Sequence, residues 1–144
     1  MDKTYWKRDL TIAIIQALAI TILLFYLGQS NNTVKHLDII NALATNTKEL
    51  NNEPGIILNG TAGDYNKKLI SIGIGIDHTK INEVQLKQVI EKYLNDSAAM
   101  TNEHDWKKLF LPYNLKIEEI GDSNNGKILA EKQVGKTELV WKED

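Results

Sequence analysis

Leu69-Ile70-Ser71-Ile72-Gly73-Ile74-Gly75-Ile76-Asp77 is the stretch that decides the fold class. Side chains alternate across a strand, so the isoleucines at 70, 72, 74 and 76 share one face, and Ser71, Gly73, Gly75 and Asp77 share the other. The isoleucine face is core. The second face is close to bare backbone. Interior glycines weaken a strand unless something needs the space, so Ser71, Gly73, Gly75 and Asp77 are read either as a packing surface or as a face on which a ligand or a partner strand lies.

Upstream, Gly63, Asp64 and Asn66 are turn formers, and the apolar run from Ile56 precedes them. A hairpin of residues 55–61 with 69–77 follows. Before it, Val34, Leu37, Ile40, Leu43 and Ala44 recur at helical spacing, which predicts an amphipathic helix over Val34–Leu50. Pro54-Gly55 stops it. That helix is a stalk, a short coiled coil or part of the domain.

Downstream, Asn82 and Gln85 form a capping-box pattern, with Ile81 and Leu86 at the staple positions. Leu86, Val89, Ile90, Tyr93 and Leu94 make one apolar stripe, so a helix runs from Asn82 to a point between Asp96 and Met100. Trp106, Leu109 and Phe110 suggest an inward-facing turn closed by Pro112. Leu115–Ile120 reads as a strand with Glu119 interrupting the alternation as a bulge. Asn124-Asn125-Gly126 is a hairpin signal, and Lys127–Val134 and Thr137–Trp141 are the returning strands. The fold expected is α+β, a two-layer domain with a mostly antiparallel sheet in the order β-β-α-β-β-β and one main helix on one face.

The amino-terminal part is of another kind. Leu10–Gly28 reads LTIAIIQALAITILLFYLG, 19 residues without a charge. As a helix this spans roughly 28 Å, about the hydrocarbon thickness of a bilayer. Lys3, Lys7 and Arg8 precede it, and Lys35 is the first Lys or Arg after it, which orients the amino terminus to the cytoplasm. Tyr5 and Trp6 at one end and Phe25 and Tyr26 at the other suit an interfacial belt. Cleavage as a signal peptide is the competing reading, at Ala17-Leu18-Ala19 or Gly28-Gln29-Ser30. The run is longer than a typical signal core, which favours an uncleaved anchor. Ala13, Ala17 and Thr21 at spacing four, with Gln16 beside them, form a small-residue face on which two such helices could associate. The expected organisation is a cytoplasmic tail over 1–9, a transmembrane helix over 10–28, a stalk helix and linker over 29–54, and an extracytoplasmic domain over 55–144.

Composition removes several chemistries. The chain has 144 residues, a formal charge of −2 and no cysteine, which excludes disulfide scaffolds, Cys-based zinc sites and cysteine nucleophiles. Beyond residue 29 there are 14 lysines against 17 acidic residues, and no basic stripe concentrates on one element, so no nucleic-acid partner is expected. His78 beside Asp77 and His104 beside Asp105 could meet at a metal, but their spacing of 26 residues matches no ligand signature. His36 is expected to be solvated. None of Ser71, Ser97 and Ser123 lies in a nucleophile turn. Gly73-x-Gly75 lacks the third glycine of a dinucleotide fingerprint. The three Asn-x-Ser/Thr triplets, at Asn31, Asn59 and Asn95, are read as chance in an Asn-rich chain. No catalytic residue, cofactor or metal is assigned.

Ile, Asn and Lys make up about a third of the chain, and lysine outnumbers arginine sixteen to one, a skew associated with AT-rich bacterial genomes. The expectation is a single-pass bacterial membrane protein. It is held in the bilayer by residues 10–28 and serves as a non-enzymatic accessory or adaptor subunit of an envelope complex, with a membrane protein or a second copy as partner. The alternative is an extracytoplasmic module that binds or senses a small molecule or peptide on the Ser71, Gly73, Gly75, Asp77 face.

Overall fold

The computed structural model describes residues 3–121 and 126–142, with side chains over 14–28 and from 35 onward within those spans. The elements are α1 (Lys3–Asn51), β1 (Ile56–Asp64), β2 (Leu69–Ile76), α2 (Glu83–Ala99), α3 (Trp106–Leu109), β3 (Asn114–Glu119), β4 (Lys127–Lys132) and β5 (Val140–Trp141). Two compact units divide the chain, Met1–Lys35 and His36–Asp144.

In the first unit the backbone is helical from Lys3 onward. The backbone of the polar segment Gln29–Thr33 is helical as well. Each of those residues tolerates a helix, and the first strong breaker in the sequence is Pro54. The side chains described here, from Ile14 to Gly28, are all exposed. Thr21 satisfies its hydroxyl within the helix by donating to the Ala17 carbonyl at 2.9 Å. Among the described residues no helix is long and apolar enough to cross a membrane. Of the uncharged run, the side chains of residues 10–13 lie outside those described.

The second unit is an α+β domain whose five strands form one sheet in the order β1-β2-β3-β4-β5. β1 and β2 are an antiparallel hairpin, as are β3 and β4. The two hairpins meet in a parallel β2–β3 pair, because α2 and α3 return the chain to the end of the sheet where β2 began. The isoleucine face is core: Ile70, Ile72 and Ile74 are fully buried.

Two helices cover that face, one more than expected. α2 has the anticipated cap, with the Asn82 side chain accepting from Gln85 N–H and the Gln85 side chain accepting from Asn82 N–H. It buries Leu86, Ile90, Tyr93 and Leu94. The second is the part of α1 from His36 on, which contributes Ile39, Leu43 and Leu50 to the same core. The packed unit therefore begins at His36, well before residue 55, and of the three readings of that helix the structure has the last, part of the domain, from His36 on. Its buried stripe is also rotated from the expected one: Leu37 is 54% exposed, while His36, Ala42 and Asn46 are buried. Polar residues in the stripe concealed its true phase. Asn46 is satisfied by donating to the Tyr93 carbonyl and to Ser97 Oγ, both at 3.2 Å. Tyr93 in turn donates its hydroxyl to the Leu43 carbonyl at 2.8 Å.

Two irregularities differ from expectation. β3 keeps its alternation through Glu119, and the bulge lies opposite. Ile117 pairs with Ala130 and Glu118 with Ile128, so Leu129 of β4 is the extra residue. A second bulge falls at Ile57 of β1. Asn124 and Asn125 of the expected hairpin lie outside the described residues, while Gly126 has the positive φ of +85° that such turns use. β5 is only two residues long.

Candidate functional site

The face formed by Ser71, Gly73, Gly75 and Asp77 is not bare. A Cβ on Gly73 would lie 3.0 Å from Ile120 Cδ1, and one on Gly75 would lie 2.8 Å from Leu58 Cγ and 3.3 Å from the Ile120 carbonyl oxygen. Leu58 and Ile120 thus fold over β2, and the glycines are the room they require. Asp77, just past β2, is committed to its own turn. It accepts from the Thr79 hydroxyl at 2.6 Å and the Thr79 N–H at 3.1 Å, and pairs with Lys80 at 2.9 Å. The Thr79 hydroxyl, then Lys80 and the Thr79 N–H, hold its carboxyl down at about 2.

β2 and β3 run parallel, and their carboxyl ends place two chemistry-bearing residues together. His78 follows β2, and Glu119 ends β3. His78 Nε2 donates to Glu119 Oε1 at 2.7 Å. The carboxylate is only 4% exposed, whereas the imidazole is mostly in solvent. Lys127 faces Glu119 across β3 and β4. A cavity of about 100 Å³ adjoins the imidazole, with Ile81, Leu86, Leu129 and Trp141 among its walls.

A buried carboxylate that fixes one nitrogen of an exposed imidazole leaves Nδ1 available as an acceptor or base. A hydrolytic reaction would also need a nucleophile within reach. Ser97 donates to the Tyr93 carbonyl at 2.7 Å, and Thr79 is held by Asp77. Ser71 lies on the opposite face of the sheet from Glu119, as the β2–β3 register requires. Ser123 is outside the described residues. The arrangement can orient a proton acceptor and bind a polar group, and the described serines and Thr79 do not complete a nucleophile–base pair with it.

The other residues singled out in the sequence fall elsewhere. Asp105 caps α3 by accepting from Lys107 N–H at 2.9 Å, and His104 is exposed. Among the described residues no group of three or more His, Asp or Glu side chains could hold a metal. On α1, Gln16, Ala17 and Thr21 are exposed, and the side chain of Ala13 is outside the described set.

His36 is not solvated. It is 5% exposed, with its ring edge-on to Tyr65 and tilted against Tyr113. The signal for this was present, since 36, 39, 43, 46 and 50 share a helical stripe, but an ionisable residue does not announce a core position. Lys132 was missed too. It lies opposite Leu115 on the core face, and its ammonium donates to the carbonyls of Tyr113, Gln133 and Lys136 at 2.9, 3.1 and 3.1 Å. Burial pushes this amine below the ordinary lysine value. It helps wall an open groove of about 850 Å³ at the β3–β4–β5 end of the sheet, together with Lys116, Glu131 and Lys142. No family model, curated protein or solved structure matches the chain.

Proposed function

We propose that this chain is a single-pass membrane-anchored protein whose α+β domain lies outside the cytoplasm and serves as a non-enzymatic accessory or adaptor subunit of a bacterial envelope complex. The observation that carries the reading is the state of α1 between Ile14 and Leu27. Its ten large apolar side chains are each 52–66% exposed, and they occur on every side of the helix. A helix apolar all round needs cover on all sides, which a bilayer supplies. The uncharged sequence extends to Leu10, and the Lys and Arg excess before it favours a cytoplasmic amino terminus. Gln16, Ala17 and Thr21, with Ala13, would meet a membrane partner or a second copy. The cover that Leu58 and Ile120 give to Gly73 and Gly75 weighs against the sensor alternative at that face.

The test is fractionation of the native source, an alkaline wash of the membranes and external protease on intact cells, with intact masses taken throughout. A full-length chain that resists the wash and loses its domain to external protease agrees with the reading. A soluble species beginning near Asn31 would instead mean a cleaved leader. Replacing Ala13, Gln16 and Ala17 by leucine should release a co-purifying membrane partner; a complex indifferent to that change and to deletion of the domain would count against the adaptor role.

A further inference from the structure

Where α1 enters the domain, the first buried side chain among the described residues is an imidazole. His36 is 5% exposed, and its Nδ1 is buried with no hydrogen-bond partner. The ring packs against two tyrosines, 5.6 Å from the Tyr65 ring and 5.3 Å from the Tyr113 ring. Against the sheet there is no slack: a Cβ on Gly63 would lie 2.8 Å from His36 Nε2 and 2.6 Å from Ile40 Cδ1. Three segments close on the ring: the end of β1, the turn that follows it, and the loop before β3.

A neutral imidazole fits this enclosure if the proton is on Nε2, because a bare Nδ1 lone pair is the less costly atom to leave unmatched. An imidazolium does not fit. Its second N–H would be a buried donor without an acceptor, carrying a charge out of water. We propose that His36 is a proton-operated latch: neutral, it seats the domain end of α1 on the sheet, and protonated, it leaves its contacts with Tyr65 and Tyr113 and frees the first turns of that helix segment.

Of the surrounding charges, Asp64 opposes this direction without reversing it. From β1, Asp64 is the nearest carboxylate influence and favours the charged ring, but its oxygens are engaged by Lys67, through the backbone N–H at 3.1 Å and the ammonium at 3.4 Å. From the adjoining turn and the loop before β3 come the two tyrosines, Tyr65 edge-on to the imidazole and Tyr113 tilted against it. From β4, the Lys132 ammonium lies behind Tyr113, bonded to its carbonyl. Desolvation outweighs Asp64 and holds the His36 imidazole below its ordinary value. The folded state therefore binds fewer protons than the open state once the pH drops below the free imidazole value of about 6.5, and opening grows as the pH falls toward the lowered folded value.

The decisive measurement is amide hydrogen exchange over 37–43 in the full-length chain in neutral detergent micelles, corrected for intrinsic rates, at pH 7.5 and 5.5. One proton allows the opening equilibrium to rise by at most about tenfold per pH unit below the free value. The expected result is a several-fold rise at the lower pH that His36→Phe abolishes and His104→Gln leaves in place. Equal protection at both pH values, or the same rise in His36→Phe, would overturn the latch. Should His36→Phe fail to fold, the Cε1–H resonance of His36 in the native chain decides. Titration below the free imidazole value of about 6.5, accompanied by shifts at Tyr65 and Tyr113, supports it; titration at that value with the tyrosines unmoved refutes it.

Discussion

The two glycines of β2 separate by what covers them. At Gly73 the nearest atoms are Cδ1 and Cγ2 of Ile120, the ends of a side chain that can shift; at Gly75 one of the three is the Ile120 carbonyl oxygen, which cannot shift without the strand. Gly75→Val is expected to cost more stability than Gly73→Val, both within the ~1–3 kcal/mol of ordinary overpacking, as read from denaturant unfolding of the full chain in detergent. Lys132→Met keeps most of the side-chain volume but strands three carbonyls. A loss of about 2–4 kcal/mol is expected, and a neutral result in the same assay would contradict the role given to the ammonium. At this scale the sequence was half legible. The alternation of Ile70, Ile72, Ile74 and Ile76 names its own core face, because nothing polar interrupts it. Lys132 was opaque, because a bulge at Leu129 on a strand of weak alternation decides which way it points.

Among the elements, α2 was the most legible, since its start is written in Asn82 and Gln85 and its stripe carries few polar residues. The same cap gives a test: Asn82→Ala removes the acceptor for Gln85 N–H and should lower stability by about 1 kcal/mol. α1 was misread in phase for the reason that makes it interesting. His36 and Asn46 occupy buried positions, and only partners distant in sequence reveal how each is accommodated. Tyr93→Phe, which removes the hydroxyl donated to the Leu43 carbonyl, should loosen the contact of α1 with α2 by about 1–2 kcal/mol, and faster exchange of amides near Asn46 is the accompanying readout. The Glu119–His78 pair was legible only in part. Asp77-His78 drew the eye, yet the partner of His78 is a residue 41 positions on, brought near by the parallel pairing of β2 with β3.

For the whole molecule, the fold class could be read from the sequence, and the parallel seam could not. Strand order depends on where α2 and α3 return the chain, which no local pattern records. The anchor proposed for the amino-terminal unit has its own quantitative consequence. A lysine in place of Leu18, near the middle of the uncharged run, makes insertion less favourable by about 3–4 kcal/mol, the cost of the lysine plus the leucine contribution lost. Leu18→Lys with Leu23→Lys should move the chain largely out of the alkali-resistant membrane fraction, whereas Leu18→Ile should leave it there.

The sheet is two hairpins joined along one parallel pair, and that seam has a consequence for how the chain acquires its structure. Each hairpin closes within a stretch of fewer than thirty residues, while the seam joins Leu69 to Asn114 and must wait for the α2–α3 crossover. Loop closure over that distance is the slow event, since its entropy must be met before the contacts that reward it form. During synthesis, α1, the first hairpin and α2 are all made before β3 exists. Until then the most apolar strand in the chain has one edge open, so the moment of greatest exposure to misassociation falls between the emergence of Ile76 and that of Glu119.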